Sequence, residues 1–483
     1  MHPLDLAIFV VYMLGMLGVG AYFLRRNESV DDYYVGGRGM SATHVGFSVV
    51  ATDVGGGFSI GLGGLGFVMG LSGSWLLFTG LVGAWVAAAW LVPRVRTDPR
   101  LARALTFPDF LGRFFGARVA LLAGIVSAVG YAGFTASQIL AGAKLASGSL
   151  PSVSFETALL VMGGVAIGYT VLGGLKAVIY TDSVQWAIVL GGLTFVAVPM
   201  AFSAVGGFDA IRATVHPELL SLSNIRPVEF VNWMVTIVPI WFVGMTLYQR
   251  IYACRDEPTA RRAWLLAGVL EWPLMAFLGS VLGLLARVAA DQGMFGAFGA
   301  DGISDVDPET GLPMLLRTVM PPGVLGIVLA AYFSAILSTA DSCLMAASGN
   351  VVNDIIERRR GDHPSAARTL RMSQIATLVI GVVALLLASR MTSVLDLMLY
   401  SYALMVSGLF VPVIAALTDR RPSPVAAGAA IVAGGVTTVA LQASGVALPL
   451  GLDSNCFGLA VSAITYLTVR RSGTATLSSV DPV

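Results

Sequence analysis

Apolar residues occur in runs of about 20 positions from one end of the chain to the other, separated by short segments rich in Gly, Pro or charge. An α-helix needs about this length to cross the hydrocarbon core of a bilayer. The pattern predicts an all-α polytopic membrane protein with about thirteen membrane-spanning helices. The predicted spans are 4–24, 43–70, 74–93, 119–147, 156–173, 181–204, 230–252, 262–288, 322–356, 368–389, 394–418, 424–442 and 455–469.

The composition agrees with this interpretation. Of 483 residues, 56% are hydrophobic and 12% are charged, which leaves too little polar surface to cover a soluble domain. The first run lacks the basic start and cleavage site of a signal peptide, so we interpret it as a retained span. A net charge of +1 gives no reason to expect a nucleic-acid partner. We expect no soluble domain and no obligatory protein partner. The expected surrounding of the chain is the lipid bilayer.

Basic residues are distributed unevenly between alternate loops. Of the 29 Lys and Arg residues, all but six fall in one set of loops, and Arg250 is counted in that set. Because cytoplasmic loops carry the excess of positive charge, the N-terminus is expected outside the plasma membrane and the C-terminus in the cytoplasm. The acidic loop 291–311 is then external, and it is expected to lead into a short helix near 311–320.

The second apolar run contains the segment ATDVGGGFSI, residues 51–60. Three consecutive glycines and the carboxylate of Asp53 disfavour a continuous helix at this depth. A helix that breaks inside the membrane frees backbone carbonyls, and such a break is tolerated only beside protein or a water-filled cavity. The freed carbonyls of Ala51 and Val54 are suitable hard ligands for a cation.

A second interruption is predicted five spans later, in residues 235–250, where Pro239 and Gly244 lie in an apolar run. A single Pro in a membrane helix is often only a kink. Two interruptions at matching places in inverted halves, however, are typical of the binding site of a secondary transporter.

The ninth span carries a polar stripe. Ser338, Asp341 and Ser342 follow the i, i+3, i+4 pattern of one helix face, and Ala335 lies one turn earlier. Oxygen ligands of this kind suit a small hard cation such as sodium. The hydroxyls have an alternative role in bonding back to carbonyls of their own helix, but an intramembrane carboxylate is a functional hypothesis by default.

Three further acidic residues lie in or near apolar runs. Asp182 is interpreted either as an interfacial helix N-cap with Thr181 or as a functional carboxylate of the sixth span. Glu271 and Asp396 are expected near span ends, in contact with solvent.

These segments together resemble the sodium:solute symporter family, which contains carriers of proline, pantothenate, sialic acid, choline and glucose. The matching segments are SVVATDVGGGFSIG (48–61), YTVLGGLKAVIYTDSVQ (169–185), LYQRIYACRD (247–256) and AAYFSAILSTADSCLMAASGNVVND (330–354). The resemblance covers nearly the whole chain. It implies a LeuT-type core of two inverted five-helix repeats, at 43–204 and 230–418, joined by an external loop at 205–229. An extra N-terminal helix and cytoplasmic loop would occupy 1–42, and two extra helices with a short tail would occupy 419–483.

The resemblance also implies sites for the coupling ion, Na+. The main sodium site would use carbonyls in the first broken helix and oxygens of the ninth span, namely Ala51, Val54, Ala335, Ser338 and Thr339. A second sodium site, present in some members, would use Asp182, Ser338, Asp341 and Ser342. Asp341 stands where some members have serine, so it is expected to bind either sodium or a proton.

The solute is expected beside the two breaks. The candidate residues are Asp53, Gly55, Gly56, Gly57, Phe58, Ser59, Tyr131, Gln138, Trp233, Trp241, Met245, Tyr400 and Tyr402. Aromatic rings together with an acidic group favour a zwitterion or a cation over a sugar.

The sequence therefore predicts a sodium-coupled symporter of a small organic solute, with an amino acid such as proline favoured, and no enzymatic activity. The alternatives are a symporter of a choline-like, betaine-like or monocarboxylate solute, and a proton-coupled symporter on the same fold. A channel or membrane receptor is the alternative from another class.

Overall fold

The computed structural model describes residues 2–24, 36–102, 104–150, 152–172, 175–357 and 366–478. Helices dominate these residues, and the described part contains a single isolated β-bridge, between Met40 and Cys254, in place of strands. The helices of the first half are α1 Pro3–Leu24, α2 Ala42–Met69, α3 Trp75–Val86, α4 Phe107–Phe115, α5 Ala117–Ser149, α6 Phe155–Leu172, α7 Leu175–Gly192 and α8 Gly207–Thr214. Those of the second half are α9 Pro227–Val243, α10 Met245–Ala253, α11 Glu257–Val269, α12 Ala276–Asp291, α13 Pro308–Val319, α14 Val324–Gly349, α15 Ala366–Ala388, α16 Val394–Thr418, α17 Pro424–Ser444 and α18 Ser454–Ser478.

Four π-helical segments extend or join these helices. Ala87–Leu91 continues α3 and leads into the short α-helix Val92–Thr97, and Leu193–Ala197 continues α7 and leads into the short α-helix Val198–Ala204. Leu270–Met275 joins α11 to α12, and Asn350–Glu357 continues α14. Short 3-10 turns occupy Gly36–Arg38, Gly70–Ser74, Pro99–Leu101, Pro217–Leu220, Gly296–Phe298, Ile303–Asp305 and Pro449–Gly451.

Every predicted span overlaps a helix, and the predicted short helix after the acidic loop is confirmed as α13. Eight described helices are long and apolar enough to cross a bilayer, or nine if the bent pair α9 and α10 forms one span. The predicted number of about thirteen spans therefore stays a prediction. The sequence reading did not predict the helices α4 and α8, because they lie in connecting segments.

The helix α14 lies at the centre of the bundle. It packs against α1, α2, α5, α7 and α15, and nearly all of its side chains are buried. The helix α2 packs on its other side against α11, α12 and α13. A helix that is apolar around its whole circumference is stable only when other helices or lipid surround it. The polar residues of α2 and α14 are thereby held against each other, away from lipid.

Candidate ion and solute site

The backbone of α2 leaves helical geometry at Gly55, which confirms the predicted break. Gly55 has φ 40° and ψ −164°, whereas the residues on both sides are helical. A Cβ atom at this position would lie 2.7 Å from the Thr339 hydroxyl oxygen, so a larger residue would be strained by both its φ and its surroundings. The backbone N–H of Gly56 donates a hydrogen bond to the Gln138 side-chain oxygen at 3.0 Å. A side chain from α5 thus satisfies a backbone group at the break.

The second predicted break is also confirmed, and it lies at Gly244 rather than at Pro239. The helices α9 and α10 meet there at an angle of 45°, while Pro239 lies inside α9. The Thr246 N–H donates to the hydroxyl oxygen of Tyr131 at 3.1 Å, and the two hydroxyls lie 3.0 Å apart. Tyr131 and Gln138 are seven residues apart on α5, which is about two turns. One face of α5 therefore supports both breaks.

Three of the five residues predicted for the main sodium site come together beside the first break. The Thr339 hydroxyl donates to the carbonyl oxygen of Ala51 at 2.8 Å and to that of Ala335 at 3.1 Å. All three residues are buried. Val54 directly precedes the break in α2, and its side chain lies outside the described part. Because a hydroxyl rotates freely, this cluster can present three oxygens to a sodium ion.

Ser338, the remaining residue predicted for the main site, belongs to a different cluster. Its hydroxyl donates to one carboxylate oxygen of Asp182, and the Ser48 hydroxyl donates to the other. Asp182 lies in the second turn of α7, which begins at Leu175, so the alternative role as an N-cap with Thr181 is wrong. The interpretation of Asp182 as an intramembrane carboxylate is the one that the structure retains.

The counter-charge of Asp182 is Arg250, which the charge count placed in a cytoplasmic loop. That placement is wrong, because Arg250 lies in α10 with no exposed surface and its guanidinium is 3.7 Å from the Asp182 carboxylate. The same guanidinium donates to Ser48 at 3.0 Å, to Ser342 at 3.1 Å and to the Thr246 carbonyl at 3.2 Å. It supplies the positive charge that a sodium ion would bring to the second predicted site.

Asp341, the other acidic residue predicted for that site, forms no hydrogen bond with this network, although it lies close enough to Asp182 and Arg250 to interact with their charges. It is fully buried, and neither of its oxygens has a hydrogen-bond partner among the described residues. The assignment of Asp182, Asp341 and Ser342 to a second sodium site stays a prediction.

Two residues predicted for the solute, Asp53 and Tyr402, contact each other near the first break, and two predicted tryptophans are buried on α9. The Tyr402 hydroxyl donates to Asp53 at 3.4 Å, and its ring packs edge-on against Phe134 at 5.1 Å. Trp241 is fully buried on α9, with its indole ring against Gly83 of α3. Trp233, about two turns before Trp241 on α9, is also buried. The side chains of Phe58 and Ser59 and the surroundings of Gly57 lie outside the described part.

Two predicted solute residues lie elsewhere. The Met245 sulfur accepts a hydrogen bond from the Phe107 N–H at 3.1 Å, so it faces α4. Tyr400 is 48% exposed and lines a separate cavity of about 480 Å³ between α16, α17 and α18, together with Asp396 and Asp453.

The expectation for Glu271 is wrong. It lies in the segment Leu270–Met275 with no exposed surface, and its carboxyl group faces that of Asp53. The expectation for Asp396 is confirmed, because it is exposed at the first turn of α16.

Sequence reasoning thus missed Glu271, Arg250 and Ser48. The signal for the first two was an ionisable residue inside an apolar run, the same signal that marked Asp53 and Asp341.

Comparison with known proteins places this geometry in a family. The sequence pattern of the sodium:solute symporter family matches residues 33–427. The chain is 28% identical to the high-affinity proline transporter of Bacillus subtilis, over 80% of this chain and 81% of that protein. It is also 28% identical to the osmoregulated proline transporter of the same organism, over 95% and 93%. The identity to the sodium/proline symporter of Escherichia coli is 28%, over 82% and 80%.

Solved structures agree on the fold. A Na+-coupled sialic acid symporter superposes with a TM-score of 0.77 at 20% identity and covers 96% of this chain and 97% of its own. Mhp1, a nucleobase-cation-symport-1 family transporter, superposes with a TM-score of 0.58 at 13% identity, over 93% and 96%. The helical architecture is LeuT-like, the protein is a multi-pass membrane protein, and the chain belongs to the sodium:solute symporter family.

Proposed function

We propose that this protein carries a small amino-acid-like solute into the cell together with sodium, and that proline is the first candidate. Sodium is the coupling ion of the family to which the chain belongs. The relatives at 28% identity named above are proline transporters, which supports proline over the alternatives. A sodium/pantothenate symporter of Escherichia coli is 25% identical over 96% of both chains, so a monocarboxylate is the second candidate.

The observation that carries the proposal is the junction between α2 and α14. The Thr339 hydroxyl bridges the carbonyls of Ala51 and Ala335. Its oxygen lies 2.7 Å from the place that a Cβ atom of Gly55 would take, so the bridge adjoins the break. A sodium ion that replaced these hydrogen bonds by ion–oxygen contacts would hold the two helices together. Because the solute is proposed to bind beside the same break, sodium and solute would each increase the affinity for the other by the same factor.

Transport would follow by alternating access of this site to the two sides of the membrane. Binding of sodium would favour the state that receives solute from outside, and the inward sodium gradient would drive release into the cytoplasm. We place the protein in the plasma membrane, with its N-terminus outside and its C-terminus in the cytoplasm. The cycle makes and breaks no covalent bond, so we propose no enzymatic activity.

Uptake of labelled L-proline into proteoliposomes tests the proposal. An inward sodium gradient should drive saturable accumulation, and replacement of sodium by potassium should abolish it. Accumulation driven by a pH gradient in sodium-free buffer would instead establish the proton-coupled alternative. Rapid flux that does not saturate would establish a channel.

A further inference from the structure

The cavity that Tyr400 lines lies apart from the proposed ion and solute site. It has a volume of about 480 Å³, and the first turns of α16, the last turn of α17 and the start of α18 line it, together with Thr236 of α9. A volume of this size accommodates a small organic molecule rather than a bare ion. In the orientation proposed above, these helix ends face the outside of the cell, so the cavity is accessible to external molecules.

The cavity carries negative charge that the protein does not neutralise. Asp396 and Asp453 both line it, and neither carboxylate forms an ion pair or a hydrogen bond with another described residue. Partial burial, followed by the charges of Asp396 and Glu229, raises the pKa of Asp453. Arg226 is 3.9 Å from Glu229 and pairs with that residue instead. The two aspartates therefore remain available to a cationic ligand.

An aromatic ring and a hydroxyl adjoin the two carboxylates. Tyr400 follows Asp396 by one turn on the same face of α16, and it lies close enough to both aspartates to interact with their charges. Ser454 lines the cavity at the start of α18 and is only 7% exposed, and its hydroxyl has no hydrogen-bond partner in the part of the chain that the structure describes. Apolar side chains, among them Leu399 and Leu441, form much of the remaining wall.

Hydrogen bonds to α9 fix the loop that carries Asp453. The Asn232 side chain donates to the Gly451 carbonyl at 3.1 Å and accepts from the Asp453 N–H at 3.1 Å. The Asn455 side chain donates to the Thr236 hydroxyl at 2.7 Å. The cavity is therefore formed before a ligand arrives, and a preformed site loses little entropy on binding.

The chemistry of the wall distinguishes between classes of ligand. No group of three His, Cys, Asp or Glu residues that could hold a metal ion occurs among the described residues. An amino-acid zwitterion would bring its own carboxylate toward the two aspartates, which would repel it. An ammonium ion with an apolar body satisfies each part of the wall, because carboxylates accept N–H donors, an aromatic face attracts a cation and apolar walls cover the body.

We infer that this cavity is a binding site for a small organic ammonium ion with an apolar body, separate from the site of the transported solute. Asp396 and Asp453 bind the ammonium group, the Tyr400 ring covers it, and the Ser454 hydroxyl accepts one of its N–H donors. The site goes beyond the proposed function and does not depend on it. A soluble amine and the amine headgroup of a lipid both present this chemistry.

The ions and alcohols of one carbon skeleton test the preference for charge. 2-Phenylethylammonium and 2-phenylethanol share the ring and the two-carbon chain, but only the first is a cation at neutral pH. Calorimetric titration of the purified protein in sodium chloride should give at least about tenfold tighter binding of 2-phenylethylammonium. Equal affinities, tighter binding of the alcohol, or no binding of the ammonium ion would overturn the inference.

Variants locate the site. Asp396→Asn and Asp453→Asn should each weaken binding of 2-phenylethylammonium by about threefold or more, and Asp396→Lys should abolish it, because the new side chain places its own ammonium group in the cavity. Asp209→Asn, at an exposed acid of α8 proposed to face the same side, is the matched control and should leave binding unchanged. The thermal unfolding midpoint checks the fold of each variant. Unchanged binding in all three cavity variants would overturn the inference.

Titration at a saturating concentration of L-proline tests the separation of the two sites. The affinity for 2-phenylethylammonium should not change, whereas competition would place the ion in the solute site and overturn the inference. A protein that binds no proline but keeps this charge preference and its loss in the variants would contradict the proposed function alone.

The source of the ammonium group is tested in lipid nanodiscs, with empty nanodiscs as the reference. Unchanged affinity for 2-phenylethylammonium after addition of phosphatidylethanolamine to phosphatidylglycerol would support a soluble amine. A lower affinity would support the lipid headgroup as the occupant. Loss of binding in both lipids would show that lipid chains fill the cavity, and it would overturn the inference.

Discussion

Two buried acidic sites adjoin the part of α2 that precedes the first break, and they differ in which groups pair them. Asp182 has two serine donors and the Arg250 guanidinium, all supplied by the chain. The pair of Asp53 and Glu271 has one donor outside the pair, Tyr402, and the two carboxyl groups otherwise face each other. When the chain itself supplies a counter-charge to a buried carboxylate, the pair stabilises one arrangement of the helices. When it supplies none, a ligand that pairs the carboxylate can bind more tightly. From this difference we propose that the first site holds the helices together and that the second adjoins the solute.

Substitution of Arg250 should have the largest effect on stability. Arg250→Ala leaves Asp182 buried without its counter-charge, and breaking a buried pair costs about 3–5 kcal/mol. We expect a strongly lowered midpoint of thermal unfolding in detergent, or failure to accumulate as folded protein. The exposed Arg262 on α11 provides the control, since Arg262→Ala should leave the midpoint unchanged.

The double variant Arg250→Met with Asp182→Asn should recover part of the loss, because it removes both charges. If Arg250→Ala unfolds at the wild-type temperature, Asp182 does not depend on the guanidinium, and the contrast between the two sites is lost.

Substitution of Gly55 should have the next largest effect on stability. Gly55→Ala places a Cβ at a φ of 40° and against Thr339, and backbone strain of this kind costs about 1–3 kcal/mol. We expect a lower unfolding midpoint and reduced solute uptake. Gly164→Ala on α6 is a matched control, because a Cβ there meets nothing within 4 Å. Equal behaviour of the two variants would show that the break does not require glycine.

Replacement of Glu271 should have a small effect on stability, in the opposite direction. Glu271→Gln relieves the repulsion from Asp53 in the absence of solute, so the unfolding midpoint should stay constant or rise. Thermal unfolding without sodium or solute measures this directly. A fall comparable to that of Arg250→Ala would mean that the protein itself pairs Glu271.

The smallest effect is expected at Tyr400. This side chain is half exposed and lines the separate cavity between α16, α17 and α18, whereas Tyr402 contacts Asp53. Tyr400→Phe should change uptake by less than about twofold, within the range of ordinary surface substitutions. Tyr402→Phe should reduce uptake more. A larger loss of uptake in Tyr400→Phe than in Tyr402→Phe would place the solute in the cavity that Tyr400 lines.

The main features of the fold could be predicted from the sequence because they depend on local composition. Runs of apolar residues set the helices, and the glycines at 55–57 set the first break. The second break was located only to a segment, since Pro239 and Gly244 both interrupt a helix pattern and only the packing shows which one does.

The site could be predicted only in part, because partners across the bundle are not visible in one sequence. Ser338 and Thr339 are neighbours on α14, yet one contacts Asp182 and the other contacts Ala51. Arg250 follows an apolar run and was assigned to a loop, although its side chain lies fully buried in α10. Glu271 lies within the predicted span 262–288 and was expected near a span end in contact with solvent, whereas its side chain is fully buried and faces Asp53 across the bundle.

We propose above all that Thr339 joins the broken helix α2 to α14 through a sodium ion. The most direct test is the sodium concentration that gives half-maximal uptake in Thr339→Ala, compared with Thr318→Ala. Thr318 bonds only to the Met314 carbonyl of its own helix, so its loss should leave the sodium dependence unchanged. The account predicts an increase of about tenfold or more for Thr339→Ala, equivalent to about 1.4 kcal/mol of lost binding free energy. An unchanged sodium dependence in well-folded Thr339→Ala would contradict it.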